Sequence, residues 1–190
     1  MNRGELLLHL ARSAIAERLG IAVPQPTQLA EAWLLEEQAT FVSLHLGGEL
    51  RGCIGSLTAR QPLLEDLRAN AVAAAFHDPR FPPLDADEFE AIEIEVSLLS
   101  PPEELRFHSE AEALAQLSPG KDGVILEYGS RRATFLPQVW RQLPAPPIFL
   151  SQLKRKAGLT GDFWHSGLRL WRYRVERFAE NEGRDRGEAP

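Results

Sequence analysis

Cysteine is nearly absent from the sequence, and its shortage excludes two kinds of structure. The 190 residues include one cysteine, Cys53, so the chain forms no internal disulfide and no zinc site built from several cysteines. A single unpaired thiol fits a reducing compartment. We therefore expect a cytoplasmic protein whose cysteine acts without a second one.

Long apolar runs are also absent. The longest, Ala71 to Phe76, has six residues, whereas a helix that crosses a membrane needs about 20. Near the N-terminus, Glu5, His9 and Arg12 interrupt the apolar segment that a secretory signal would require. These features predict neither a membrane anchor nor an export signal.

The sequence also lacks the spacings of common metal and nucleotide sites. It has no His-x-His, Cys-x-x-Cys or His-Glu-x-x-His pattern, and its five histidines are scattered. No glycine-rich loop leads from a strand into a helix, as a dinucleotide-binding or phosphate-binding loop requires. We therefore predict no metal site and no cofactor.

Charge is distributed unevenly along the chain. The net charge is −6, yet residues 85–104 carry eight acidic and no basic side chains, whereas residues 131–177 carry ten basic and two acidic ones. One interpretation is that the two segments pair across the fold or cover separate solvated faces. The other is that the basic segment lines a cleft for a small anionic ligand. The negative net charge argues against nucleic-acid binding as the main function.

The remaining composition is that of an ordinary globular protein, with 44% hydrophobic and 25% charged residues. Apolar residues spaced by three and four predict a helix over residues 5–19, which Gly20 ends. Alternation predicts a hairpin over residues 40–56 with Gly47-Gly48 as its turn. A helix that opens at Pro62 and a strand over residues 91–99 follow.

The second half of the chain follows the same order of elements. It predicts a hairpin over residues 123–136, a short helix near Pro137 and a longer helix over residues 148–157. In a last strand over residues 168–178 the alternation slips, and we expect a β-bulge near Leu170. We predict an α+β fold in which duplicated hairpin-helix-strand units surround a single, barrel-like, mainly antiparallel sheet.

These elements predict one domain over residues 1–179. Its two structural repeats span residues 38–100 and 121–178, after an N-terminal helix. Residues 180–190 lack large apolar side chains, which predicts a disordered tail.

The segment from Leu50 to Gly55 is the most distinctive in the chain, because Gly52 and Gly55 flank the cysteine inside a predicted strand. Glycines at such positions remove side chains from around the sulfur and permit another group to approach it closely. We therefore place the centre of a candidate site on this strand.

The environment of Cys53 has two opposing readings. Alternation puts Arg51 on the same strand face, where a guanidinium favours a thiolate. A two-residue turn, however, would pair residue 51 with Leu44 and residue 53 with Val42, an apolar setting that favours the neutral thiol. Cys53 is therefore either a nucleophile or an inert, buried thiol, and neither His45 nor His77 is next to it in sequence.

The Cys53 motif also resembles part of a known family. Together with four further segments it is similar to the AMMECR domain family, also called AmmeMemoRadiSam system protein A; these segments are Ala74–Phe81, Ile94–Ser97, Lys121–Gly123 and Ala133–Trp140. The similarity runs from residue 5 to residue 178. It implies an α+β fold with a duplicated strand-and-helix arrangement and a barrel-like sheet. It also implies a pathway shared with a Memo-type dioxygenase-like protein and a radical SAM protein, while the family's reaction is unsettled.

Other residues of the matched segments are candidates for the same site. Arg80 and Phe81 lie in a proline-stiffened loop after the second predicted helix. This loop is either a ligand rim or a structural element in which Asp78 caps backbone groups and Phe81 fills the core. Glu93 and Glu95 share a strand face. They are either paired catalytic carboxylates or residues of a solvated edge.

The helix near Pro137 opens with backbone N–H groups that would receive either an anion or water. The complete set of candidates has two parts. The catalytic candidates are Cys53, His77 and Glu95. The ligand-binding candidates are Arg51, Gly52, Gly55, Arg80, Phe81 and Gln138.

Three functions compete. We favour a small-ligand or catalytic cleft centred on the strand from Leu50 to Gly55. The alternative is a non-catalytic module that docks on a partner protein through tryptophans, namely Trp140, Trp164 and Trp171. Nucleic-acid binding by the basic segment is the third, and no recognition signature accompanies it.

Overall fold

The computed structural model describes residues 1–24, 26 and 31–180. Within these residues the helices are α1 (Arg3–Leu19), α2 (Leu63–Phe76), α3 (Ala86–Phe89), α4 (Glu110–Ala115) and α5 (Pro146–Lys156). The strands are β1 (Thr40–Leu46), β2 (Glu49–Gly55), β3 (Ile92–Leu99), β4 (Glu103–Glu104), β5 (Gly123–Tyr128), β6 (Arg131–Phe135), β7 (Arg169–Tyr173) and β8 (Val175–Ala179). Short 3₁₀ helices cover Ala32–Leu35 and Pro137–Arg141. None of the described helices is long and apolar enough to span a membrane.

The chain divides into two compact units, each with its own sheet. The first unit comprises residues 1–99 and the chain from Glu176 onward, and the second comprises Ser100–Val175. The strands of the first sheet are ordered β2-β1-β3-β8 and those of the second β4-β7-β5-β6. In the first sheet β1 pairs with β2 and β3, and in the second sheet β5 pairs with β6 and β7. These four pairings are antiparallel.

The prediction of a single, barrel-like sheet is wrong. The described residues form two open sheets and no closed barrel. The strand predicted over residues 168–178 is two strands, because the chain leaves the second sheet after Tyr173 and enters the first at Val175. The expected bulge near Leu170 is absent from the β5–β7 pairing, which keeps one register throughout. The alternation slips because Leu170 and Tyr173 are both buried, one on each face of β7.

Helix α1 has clear signals at both ends. The Asn2 side chain accepts a hydrogen bond from the Glu5 N–H at 2.9 Å, and the Glu5 carboxylate accepts one from the Asn2 N–H at 2.8 Å. This reciprocal cap satisfies two donors at the start of the helix. Gly20, with a φ of 74°, ends the helix in the left-handed conformation that glycine adopts without strain. The helix predicted from the apolar spacing is confirmed.

The hairpin of β1 and β2 gives the first sheet two different faces. Gly47 and Gly48, with φ angles of 60° and 85°, form a turn whose twist suits a two-residue hairpin. One face packs against α1 and α2 through buried apolar side chains, including Val42, Leu44, Ile94 and Val96. The other face, called the polar face below, carries Ser43, Cys53 and Glu95, which are all half-buried.

The second unit has a separate core. The Trp140 ring stacks on the Phe149 ring with their centroids 3.7 Å apart, and its indole N–H donates to the Asp122 carbonyl at 2.7 Å. Trp140 is 3% exposed. It is therefore part of the core and does not serve as the aromatic anchor for a partner that the sequence suggested.

Oppositely charged segments of the chain form ion pairs. Three arginines of the basic segment bind glutamates of the acidic segment at N–O distances of 2.9 to 3.0 Å; the pairs are Arg169–Glu104, Arg172–Glu103 and Arg177–Glu95. The first interpretation of the charge pattern, mutual pairing, is confirmed for these residues.

Glu180, placed by the prediction at the start of a disordered tail, is held in position. Arg12 donates to both of its carboxylate oxygens, at 2.8 and 2.7 Å, and the Ile94 N–H donates to one of them at 2.8 Å. The prediction is wrong at this residue because its carboxylate has partners that only the fold supplies. Residues 181–190 lie outside the described residues.

Candidate functional site

The pairing of β1 with β2 determines where the Cys53 side chain lies. Cys53 is opposite Ser43 and Gly52 is opposite Leu44, whereas Leu50 is opposite His45. The register predicted from the two-residue turn is therefore wrong beyond His45. Arg51 is an extra residue in β2, a β-bulge that shifts every later pairing by one position.

The bulge places Cys53 on the polar face rather than in an apolar setting. Ser43 is opposite Cys53 on one side and Glu95 on the other, so the three side chains form a row across β2, β1 and β3. The Ser43 hydroxyl donates a hydrogen bond to the Cys53 sulfur at 3.2 Å. Neighbouring strands are about 4.8 Å apart, so Glu95 lies roughly 10 Å from Cys53 across the sheet. The thiol therefore has a polar partner and is half-buried.

Asp78 and Arg80 hold the backbone of Cys53. β2 is the edge strand of its sheet, so half of its backbone groups have no neighbouring strand to pair with. The Cys53 N–H donates to the Asp78 carboxylate at 2.9 Å, and the Cys53 carbonyl accepts from the Arg80 guanidinium at 3.3 Å. Asp78 thus caps the strand edge at the cysteine, as expected if this loop is a structural element.

The Asp78–Arg80 pair joins a buried group to an exposed one. Arg80 Nε and Nη2 donate to the two Asp78 oxygens at 3.0 and 2.7 Å, while Asp78 is 4% exposed and the Arg80 side chain 55% exposed. The hydrogen bond from Arg80 lowers the pKa of Asp78 well below its usual range, against the opposing effect of burial. The same hydrogen bond raises the pKa of Arg80, and the negative charge of Asp78 adds to this rise. The carboxylate is therefore ionised over the ordinary pH range and positions its neighbours.

Packing against other parts of the chain explains the two glycines of the motif. A Cβ atom on Gly52 would overlap the carbonyl oxygen of Ala74 in α2, and one on Gly55 would overlap the ring of Phe41. The absent side chains therefore permit close contact between elements of the fold. The space beside Gly52 and Gly55, which the sequence assigned to an approaching ligand, is filled by the protein itself.

Arg51 binds Glu88 rather than the thiol. Its Nε and Nη2 donate to the two Glu88 oxygens, both at 2.8 Å, and this hydrogen bonding raises the pKa of Arg51 and lowers that of Glu88. Its Nη1 is buried and has no hydrogen-bond partner among the described residues. The Phe81 ring lies 6.0 Å from the Arg51 Cζ and 5.4 Å from the Arg80 Cζ. Phe81 is half-buried near both guanidinium groups and does not belong to the hydrophobic core.

The other predicted site residues lie in different places. His77 ends α2 and lines a groove formed by α1 and α2, whereas Glu95 binds Arg177 at 3.0 Å on the polar face. Glu93 is opposite His45, and both line a cleft of about 190 Å³ that also reaches Glu95. Gln138 is exposed in the 3₁₀ helix of the second unit.

Sequence reasoning missed Ser43 and Glu88. Ser43 contacts the sulfur only because of the bulge at Arg51. No residue type in this segment predicts that bulge. Glu88 follows Asp85 by three residues in a reciprocal cap of α3, a spacing that predicts a helix start. That signal places Glu88 near the start of a helix, but it does not connect it with Arg51.

The chain matches known proteins over nearly all of its length. The model of the AMMECR1 family matches residues 8–178. A protein of Thermofilum pendens is 38% identical, over 93% of this chain and 89% of its own, and Protein MK0488 of Methanopyrus kandleri is 37% identical, over 96% and 90%.

A solved structure supports the same relationship. The crystal structure of the uncharacterized protein PH0010 from Pyrococcus horikoshii superposes with a TM-score of 0.82 at 35% identity, covering 95% of this chain and 93% of that one. The fold and the sequence match therefore agree with the resemblance carried by the Cys53 motif. The chain belongs to the AMMECR1 family.

Proposed function

We propose that the first unit binds a small anionic ligand beside Cys53, with Arg80 as the anion-binding residue and the thiol as the group that meets the ligand's reactive centre. The observation that carries the proposal is the arrangement around Cys53. Its sulfur is half-buried on the polar face with a hydroxyl partner, and its backbone is fixed by an ion pair whose arginine is exposed.

Arg80 retains hydrogen-bonding capacity for a ligand. Its Nε and Nη2 bind Asp78, and Nη2 also reaches the Cys53 carbonyl. Its Nη1 makes no hydrogen bond to any described residue, and the side chain is 55% exposed. A guanidinium anchored on one edge presents its other edge to a carboxylate or phosphate without a further loss of side-chain freedom.

The same geometry limits the chemistry. Glu95, roughly 10 Å from Cys53 by strand spacing, is too far away to remove the thiol proton directly. Asp78 has its oxygens engaged by Arg80 and by backbone N–H groups. Asp78 therefore has a positioning role, and Cys53 and Arg80 contact the ligand.

Alkylation of Cys53 tests the proposal, because the chain has one cysteine and every adduct reports on one site. The rates of iodoacetate and iodoacetamide are measured by mass spectrometry on the folded protein and on the protein unfolded in urea. If Arg80 attracts anions, the ratio of the iodoacetate rate to the iodoacetamide rate is higher in the folded state by about threefold or more, a modest electrostatic effect.

Variants assign this ratio to Arg80. Arg80→Gln returns it to the unfolded value, while Arg68→Gln, which changes the same charge on α2, leaves it unchanged. A thiol that reacts with neither reagent up to about pH 9, where an ordinary thiol is largely ionised, contradicts a reactive Cys53. Equal ratios in the folded and unfolded states contradict the anion site.

The family resemblance adds a setting for this site. We infer that the protein acts in the cytoplasm, in one pathway with a Memo-type and a radical SAM protein, and its lone reduced thiol supports the location. Co-purification with both proteins from a cell extract tests this inference. If neither protein co-purifies when this protein is present at micromolar concentration, that result counts against a direct association.

A further inference from the structure

A groove on the helical side of the first unit has the properties of a second ligand site. It lies between α1 and α2 and has a volume of about 550 Å³, and the described residues that hydrogen-bond to Cys53 are not among those that line it. Ligand pockets for small organic molecules have volumes of about 300 to 1,000 Å³. We propose that this α1–α2 groove binds a small organic acid with an apolar body and one anionic head group.

Small apolar side chains provide the floor of the groove. Ala14 of α1 and Ala69 and Val72 of α2 line it. Ala69 is exposed although it lies within an α-helix that packs on its other side through Leu67 and Ala71. A ligand that covers this surface removes apolar area from water, which is the main source of affinity for an uncharged molecular body.

The rim of the groove is cationic. Arg68 binds Glu17 at 2.6 Å, so these two charges offset each other. Arg18 lies with its Cζ 5.9 Å from the centroid of the Phe76 ring and makes no ion pair with any described residue. His77 lines the same groove from the end of α2 and is exposed. The rim therefore has one uncompensated positive charge beside an apolar floor.

This combination selects the chemical class of ligand. An apolar body alone would use the floor but leave Arg18 without an anionic partner. A cationic ligand would meet like charge on the rim. A monoanion with an apolar body satisfies both parts, because its head group binds Arg18 while its body covers Ala69 and Val72.

A fluorescent organic acid tests the site. The probe is 8-anilinonaphthalene-1-sulfonate, whose emission rises in an apolar setting, titrated against the full-length protein. We expect saturable binding that 4-phenylbutyrate displaces and that the neutral analogue 4-phenylbutanol displaces at least about tenfold less well, since charge-assisted contacts are stronger than neutral ones.

Substitutions locate the binding. Ala69→Leu fills the groove and is expected to weaken binding at least tenfold, whereas Ala111→Leu, the same change at an exposed position of α4, leaves it within twofold. Arg18→Gln is expected to weaken 4-phenylbutyrate about fivefold, whereas Arg3→Gln, on the same helix outside the groove, has no effect. Thermal unfolding verifies that each variant is folded.

Three results would overturn the proposal. The first is no saturable binding at probe concentrations on the order of 1 mM. The second is equal binding by Ala69→Leu and Ala111→Leu, which would place the probe elsewhere. The third is equal displacement of the probe by 4-phenylbutyrate and 4-phenylbutanol, which would show that the groove does not recognise an anionic head group.

Discussion

The Asp78 carboxylate accepts the backbone N–H of Cys53 at 2.9 Å. A side chain from the loop after α2 thereby occupies the position that a neighbouring strand would take on the edge of β2. The contact joins two residues that are 25 positions apart in the chain. It makes the loop at Asp78 a structural part of the cysteine's surroundings.

Replacing Asp78 by Asn tests how much this contact contributes to the free energy of unfolding. The amide side chain of the Asp78→Asn variant still offers an oxygen to the Cys53 N–H, but it lacks the charge that binds Arg80. We expect the free energy of unfolding to fall by about 2 kcal/mol, the size of a hydrogen bond to a charged group. Urea denaturation measures it, with the exposed Asp87→Asn as the control. A loss below about 0.5 kcal/mol, the usual range for surface substitutions, would contradict the role.

The ionisation of Asp78 also predicts an acid dependence. Its pKa is lower in the folded state than the value of about 3.9 expected in the unfolded chain. Its stabilising contribution is therefore complete above about pH 4 and is lost as the pH falls through the folded value. Urea denaturation from about pH 5 down to the acid limit should show a shallower fall for Asp78→Asn than for the wild type. If stability falls equally steeply with pH in both proteins, the ionised Asp78 does not stabilise the fold.

The two glycines of the motif should differ in their tolerance of a methyl group. Gly52→Ala meets the backbone carbonyl oxygen of Ala74, which cannot move without moving α2. Gly55→Ala meets the Phe41 ring at its Cγ, and this half-buried side chain relieves the overlap only by changing its χ1 rotamer. We expect Gly52→Ala to destabilise the fold by at least about 2 kcal/mol, within the range for overpacking, and Gly55→Ala to cost less. Denaturant midpoints compare the two variants. The reverse order would refute the packing role.

The Ser43 hydroxyl should affect the reactivity of the thiol more than the stability of the fold. Ser43→Ala removes the donor to the Cys53 sulfur, and we expect the alkylation rate to fall by about two- to fivefold, since a hydrogen bond contributes about 1 kcal/mol. The control is Ser97→Ala, at a position of β3 that is opposite Phe41 rather than Ser43. Equal rates in both variants would show that the hydroxyl is not coupled to the thiol.

Tyr173 provides a spectroscopic test of the second unit. Burial raises its pKa to about 12, and its hydroxyl lies 3.1 Å from the Thr134 hydroxyl. The unfolded chain loses this proton near about pH 10, so the stability contribution of Tyr173 falls as the pH rises from about 10 toward the folded value. Absorbance of tyrosinate in the folded protein should show a step near pH 12 that Tyr173→Phe removes. A step that persists in the variant would exclude Tyr173.

Local signals in the sequence predicted most of the secondary structure. The apolar spacing of α1, its stop at Gly20 and the Gly47-Gly48 turn act over a few residues, and each has the predicted form. The candidate site was predicted less completely. Cys53, Arg80 and Phe81 come together at the edge of β2, but Arg51 turns to Glu88 and the ligand space beside the glycines is filled.

What the sequence determined by itself is therefore the kind of most elements, because helix periodicity, strand alternation and turn glycines depend on neighbouring residues alone. Tertiary structure decided the register of β2, the change of sheet after Tyr173 and the partner of every buried charge. The bulge residue, Arg51, binds Glu88, which lies 37 positions later in the chain. The setting of Cys53 follows from that bulge, since one shifted residue moves the thiol from beside Val42 to beside Ser43.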